Sequence, residues 1–219
     1  MARLLFEKTG AAVWISHLDL MRLFQRAFKR AGLPLKHTQG YNPRPSVSIA
    51  LPLSVGVESV CELLDFELDG DLPSMDEIKA RLNRSLVEGV NVLSVYHDGK
   101  KIRDLSLLHC RVNLEYDKEI GQKAVEDIRT LFSSPSLLLA KKSKNGPVEQ
   151  DIIPMIRRFD VYTVSDQEIV IDAVICCQNP SLNPMQLAAA VEKYLPEHRP
   201  DHSVCCRVEI MDNNENVFR

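Results

Sequence analysis

Ser16, His17 and Asp19 stand at the start of an apolar-periodic segment, and Tyr41, Asn42 and Arg44 follow it in a proline-rich stretch. A helix that begins at His17 presents free backbone N–H groups and a partial positive charge, which suit a phosphate or a carboxylate. His17 offers an acid, a base or a hydrogen bond. Tyr41 offers a ring on which a base stacks, and Arg44 a partner for a phosphate. The same residues also fit a plainer reading. Ser16 then caps the helix, Asp19 completes a variant capping box, and His17 is an exposed first-turn residue before a rigid turn. No catalytic site follows from them, and His17 is the single candidate for acid or base work.

Arg22, Arg26, Lys29 and Arg30 recur at helical spacing and share one face. Four cations with no acid interleaved repel one another, and a bound anion relieves that repulsion. Lys36 adds a charge from the loop beyond. A second basic cluster, Lys141, Lys142 and Lys144, falls at a strand–turn junction in the neighbourhood of Arg157 and Arg158. Both clusters fit contact with a phosphate backbone, and both fit an ordinary solvated surface.

Other chemistry is disfavoured. The acidic run Glu62, Asp65, Glu67, Asp69 and Asp71 reads as strand and turn, with Glu62 and Asp65 on opposite faces of a regular strand and therefore no shared metal. His37, His97, His109, His198 and His202 show no ligand spacing. Of the six cysteines, Cys176-Cys177 and Cys205-Cys206 are adjacent pairs that point to opposite faces of a strand, and no Cys-x-x-Cys occurs. No metal and no cofactor is expected, and there is no P-loop, GxGxxG turn, nucleophile elbow or HExxH helix.

The elements that must position these residues read as follows. Residues 3–8 are a strand that continues through 11–15 after a turn at Thr9-Gly10. A helix runs from His17 to about Ala31 and stops at Gly32, with Leu20, Phe24, Ala27 and Phe28 on its apolar face. Residues 34–45 are a loop, and 47–57 and 60–68 are strands. A helix over 75–87 and a strand over 90–96 complete the order β-α-β-β-α-β, the ferredoxin-like signature. After a polar connection at 98–101 the order repeats. A strand spans 107–116, a helix 118–132, and a strand 137–142 leads to a turn at 144–147. One helical turn is expected at 151–156. Strands at 159–164 and 168–177, a helix opened by Asn183-Pro184, and a strand over 202–211 close the chain. The expected fold is α+β, with two tandem ferredoxin-like βαββαβ halves and antiparallel sheets. The halves are 1–98 and 105–212, with a tail at 213–219, and show no sequence identity to each other.

The 219 residues are 45% hydrophobic and 26% charged, an ordinary globular composition with a net charge of −3. No apolar run reaches the length of a membrane helix, and the N-terminus does not read as a secretory signal. A cytoplasmic location and no membrane contact are expected, with unpaired cysteines fitting a reducing compartment. Charge is unevenly spread. Residues 1–50 hold eight Lys/Arg and two acids, net +6, whereas residues 51–100 hold four and ten, net −6. A basic first segment on an acidic chain suggests a local anionic partner.

The stretch from Lys8-Thr9-Gly10 through Ile15-Ser16-His17-Leu18-Asp19-Leu20-Met21-Arg22-Leu23-Phe24 to Arg26-Ala27 resembles the bacterial radical-SAM-associated domain of unknown function. So do Arg30-Ala31-Gly32-Leu33-Pro34, Gln39-Gly40-Tyr41-Asn42-Pro43-Arg44-Pro45, and residues 50–59 from Ala50-Leu51-Pro52-Leu53 onward. The resemblance covers residues 8–68. Beyond these, Asp151-Ile152-Ile153-Pro154 is among only scattered agreements. Domains of this family occur alone or joined to a radical SAM enzyme, often encoded near an RNase E/G-type ribonuclease. The resemblance thus implies an accessory role beside a radical SAM enzyme, acting on RNA. The family carries no established catalytic residues, and this chain lacks the three-cysteine cluster motif of the radical enzyme itself.

Three functions follow as expectations. The first is an accessory protein that binds RNA or presents substrate through Ser16, His17, Arg22, Arg26, Lys29, Arg30, Lys36, Tyr41, Asn42, Arg44, Lys141, Lys142 and Lys144. The second is a metal-independent endoribonuclease using His17, by architectural similarity to CRISPR repeat-processing enzymes with tandem ferredoxin-like halves. The third is a module that only docks a partner protein. The oligomeric state is not fixed by the sequence.

Overall fold

The computed structural model describes the chain apart from residues 71–72 and 144–145, and apart from the side chains of residues 141–145 and 147. Two compact units emerge. The first holds Met1–Asp104 with Phe218–Arg219, and the second holds Leu105–Val217.

In the first unit, β1 (Ala2–Lys8) leads through a 3-10 turn (Gly10–Trp14) into α1 (His17–Arg30). Then come β2 (Val47–Ile49), β3 (Val57–Phe66), α2 (Met75–Asn83) and β4 (Val90–His97). The sheet order is β4-β1-β3-β2, and all pairs are antiparallel. Alternation explains the strands: Leu4 and Phe6 of β1 are fully buried beneath α1. The period of α1 places Leu20, Phe24, Ala27 and Phe28 on the sheet. Phe24 meets Phe6 edge-on at 4.7 Å, and Phe28 lies 4.9 Å from Phe66. Such ring pairs contribute about 1 kcal/mol each beyond their burial.

In the second unit the order is β5 (Leu105–Glu115), α3 (Gln122–Phe132), β6 (Leu138–Ser143), β7 (Gly146–Asp151), β8 (Ile156–Ser165), β9 (Glu168–Cys176), α4 (Met185–Tyr194) and β10 (His202–Asp212). Its sheet runs β10-β5-β9-β8, and β6 and β7 form a separate two-stranded ribbon. Removing that ribbon leaves the strand order of the first unit. Each unit is therefore a βαββαβ half with antiparallel pairing, and the fold is α+β.

Several expected boundaries move, each for a local reason. Residues 11–15 are a 3-10 turn rather than strand, because Gly10 at φ +56° ends β1 and the buried ammonium of Lys8 gathers the next carbonyls. The strand expected over 47–57 stops at Ile49. Pro52 lacks an N–H and Gly56 sits at φ +80°, yet Leu51 and Leu53 remain buried. The helix expected over 75–87 ends at Asn83, whose side chain both donates to and accepts from the backbone of Val92. The helix expected from Lys118 starts at Gln122. Asp117 N–H is held by Asp201, and Ile120 N–H by the Asp166 carbonyl. Gly146 and Pro147, expected in a turn, open strand β7, and the rest of that turn, Lys144 and Asn145, lies outside the described residues, as does Asp71. The helical turn expected near Pro154 is the 3-10 turn Ile153–Met155. Of the segment read as a tail, Phe218 is fully buried in the first unit.

Candidate nucleic-acid interface

Lys8 has no exposed surface. Its ammonium donates to the carbonyls of Val13 and Ile15 at 3.0 Å and of Ser54 at 3.4 Å. A buried charge is tolerated only when its hydrogen bonds are supplied. Here they come from the 3-10 turn, from Ile15 just after it and from the loop before Gly56, so Lys8 fixes the approach to α1. Nothing in its sequence position distinguishes it from the surface lysines.

At the start of α1, Ser16 adopts extended φ/ψ and its Oγ accepts from Asp19 N–H at 3.2 Å. The same hydroxyl donates to Asp19 Oδ2 at 2.7 Å, and Arg22 donates to Asp19 Oδ1 at 2.9 Å. These contacts hold the Asp19 carboxyl below its usual range, the Ser16 hydroxyl contributing most and Arg22 next. The anion that this helix start favours is already in place: it is Asp19. Ser16 is a cap, and Arg22 is half of an exposed ion pair. His17 is half-buried, and its Nδ1 has no hydrogen-bond partner among the described residues. No carboxylate among the described residues holds its ring by a hydrogen bond.

The C-terminal part of the helix differs. Gly32 at φ +65° turns the chain back, and Leu33 N–H bonds the Phe28 carbonyl. Arg30 donates to the Ser85 carbonyl at 2.5 Å. Arg26 and Lys29 are exposed and make no hydrogen bond or ion pair among the described residues.

Beyond Gly32 the chain makes a finger. Lys36 N–H bonds the Glu67 carbonyl at 2.9 Å, Ser46 N–H bonds the Lys36 carbonyl at 2.7 Å, and His37 bridges Pro45. Thr38 and Arg44 close the finger, Thr38 N–H donating to the Arg44 carbonyl and Arg44 N–H to Thr38 Oγ1. At the tip, Gly40 (φ +148°) and Pro43 flank Tyr41 and Asn42. Tyr41 is 100% exposed. The Arg44 side chain is exposed and has no partner among the described residues, whereas Lys36 lies 3.6 Å from Glu67.

The finger and α1 face each other across a cleft of about 470 Å³. Gln25 and Lys29 line it from the helix, Leu33 and Leu35 from the turn, and His37 and Pro45 from the finger. The structure thus brings together Lys29 and the finger that carries Tyr41, Asn42 and Arg44. It leaves Ser16, Arg22, Arg30 and Lys36 in structural bonds. Lys141 and Lys142 pair through their backbones with Val148 and Pro147; their side chains, and Lys144 altogether, lie outside the described residues.

Sequence reasoning missed two residues here. His37 lines the cleft, and its signal was its place two residues after Leu35 in the loop. Trp14, read as strand, is 72% exposed beside the N-terminus of α1 and lies against Gly56. No helix among the described residues is long and apolar enough to cross a membrane.

Comparison with solved structures supports the fold. A chain from a Cbf5–Nop10–Gar1 complex matches over 95% of this chain with a TM-score of 0.53 and 7% identity. The match spans about half of that chain, 48%, and at this identity it concerns fold alone. An unknown protein from Galdieria sulphuraria is 9% identical over 96% of both chains, with a TM-score of 0.27 that carries no argument. No curated protein is similar in sequence. The family model described as an uncharacterized protein conserved in bacteria (DUF2344) matches residues 2–184, and the chain belongs to that family.

Proposed function

We propose that the protein binds single-stranded RNA through the outer face of α1 and the finger, as an accessory to a radical SAM enzyme. One observation carries the RNA reading. Arg26, Lys29 and Arg44 are exposed cations whose side chains make no hydrogen bond or ion pair among the described residues, and the finger beside the Lys29 cleft ends in a fully exposed tyrosine. Unpaired cations supply phosphate contacts, and an exposed ring stacks an unpaired base at about 1–3 kcal/mol. Arg22 and Lys36 contribute little, since each already has a carboxylate. The radical SAM partner rests on the sequence resemblance of residues 8–68.

Fluorescence anisotropy with a labelled single-stranded RNA tests this. Three phosphate contacts give a slope of roughly −2 in log affinity against log salt. Changing Arg26, Lys29 and Arg44 together to Glu removes binding while the circular dichroism spectrum is retained. Unchanged affinity in that variant refutes the proposal. Recovery of a radical SAM enzyme on the tagged protein from a bacterial lysate tests the partnership separately.

A further inference from the structure

Away from the finger, in the second unit, three side chains converge that no strand or helix period brings together. Asp127 lies on α3, and Glu197 and His198 lie on the 3-10 turn Pro196–His198 after α4. One oxygen of each carboxylate and one imidazole nitrogen all fall within 4.8 Å of one another. His198 Nε2 is 2.8 Å from Asp127 Oδ2.

Their supports are rigid. Pro196 starts the turn, the His198 N–H bonds the Leu195 carbonyl, and the His198 carbonyl accepts from the Tyr116 hydroxyl at 3.0 Å. Asp127 sits one turn inside a helix whose Ala124, Val125 and Ile128 are buried. Glu197 is exposed and has no hydrogen bond among the described residues, so its carboxylate is free to swing in. Arg199, the nearest cation in sequence, turns toward Glu192 at 4.0 Å. The turn also borders a cleft of about 420 Å³ that Tyr116, Lys123, Glu197 and His198 help to line.

We propose that Asp127, Glu197 and His198 bind a divalent first-row transition metal such as Zn2+. Metal–ligand bonds of about 2.0–2.2 Å put neighbouring donors roughly 3–4 Å apart, so the apo positions need only a small convergence. One imidazole and two carboxylates form a borderline donor set that favours such ions over Ca2+ or Mg2+. Ligation through Nε2 places the ring proton of His198 on Nδ1 and replaces the hydrogen bond to Asp127 with two bonds to the ion. Three protein ligands beside an open cleft leave a coordination position for water.

The test uses the full chain and Co2+ as the optical probe, with Zn2+ competing. The expected result is one Co2+ per chain, with d–d absorption and no thiolate-to-cobalt charge-transfer band, which separates this site from the six cysteines. Glu197→Gln, at an exposed position, and His198→Gln each weaken binding by at least the roughly 10-fold that even an outer-shell change costs. Zn2+ raises the unfolding temperature of the wild type and not of either variant. Absence of stoichiometric binding, affinity in Glu197→Gln within twofold of wild type, or a thiolate band overturns the proposal. Should His198→Gln fail to fold, Glu197→Gln decides alone.

Discussion

Arg3 and Asp65 pair across β1 and β3 of the first half, and Arg111 and Asp172 pair across β5 and β9 of the second. The two pairs occupy corresponding places in the same topology but very different surroundings. Arg3 and Asp65 are 5% and 12% exposed, doubly hydrogen-bonded at 2.5 and 3.0 Å, with Phe218 5.5 Å from the guanidinium and the Lys100 carbonyl accepting a further bond. Arg111 is 51% exposed, and Asp172 divides its carboxylate between that guanidinium and His109 Nε2 at 2.7 Å. The frame fixes where a charge pair goes, and what covers it fixes how much the pair matters.

The connections and insertions differ in the same way. Between its first strand and first helix, the first half uses a buried ammonium, Lys8. The second uses a neutral phenol, Tyr116, bonded to the His198 carbonyl. Each half also carries its elaboration after that helix: the finger in one, the β6–β7 ribbon in the other. The finger displays cations. The ribbon is tied down, with Lys193 and Tyr194 of α4 both donating to the Leu138 carbonyl.

The comparison breaks most sharply at the buried pair. Asp65→Asn leaves Arg3 charged and uncompensated and lowers stability by about 3 kcal/mol, read from urea unfolding. Lys8→Ala, which strips three carbonyls of their donor, costs about 2 kcal/mol, whereas Tyr116→Phe, which strips one, costs about 1 kcal/mol. Equal losses at Lys8 and Tyr116 would dissolve the distinction between a charged and a neutral anchor.

Asp172→Asn, at the pair whose guanidinium is exposed, costs about 1 kcal/mol at neutral pH. Burial pushes the Asp172 carboxyl up, but the hydrogen bonds from Arg111 and His109 outweigh it, and the group lies below its ordinary value. Its stabilisation is therefore complete above a pH of about 4 and fades as pH falls through the folded value. The wild type and Asp172→Asn converge in stability at acid pH. The smallest effect is optical. Burial, with Asp201 assisting, pushes Tyr116 up to about 12. Its phenolate absorbance then appears only as pH approaches that value, and the stability it lends declines as pH rises from about 10 toward it.

Much of the fold was legible because it is periodic. Leu20, Phe24, Ala27 and Phe28 mark the buried stripe of α1, and Gly32 marks its end at the expected place. Boundaries failed where a distant group intervened: Lys8 reshaped residues 10–14, and Asp201 and Asp166 held back the start of α3. The cationic stripe was visible as a stripe. Which of its members are free was not, because Arg22 is taken by a carboxylate one turn away and Arg30 by a carbonyl 55 residues on. His198 showed no ligand spacing because Asp127 lies 71 residues earlier.

By itself the sequence determined the alternation of strands and helices, the two-half plan, and a basic first segment, since all three depend on residue type and short-range period. Only the tertiary structure decided which charges are buried, which are paired, and which face solvent beside the finger. Those outcomes depend on partners brought close by folding, and a charged residue carries no local mark of the group it will meet.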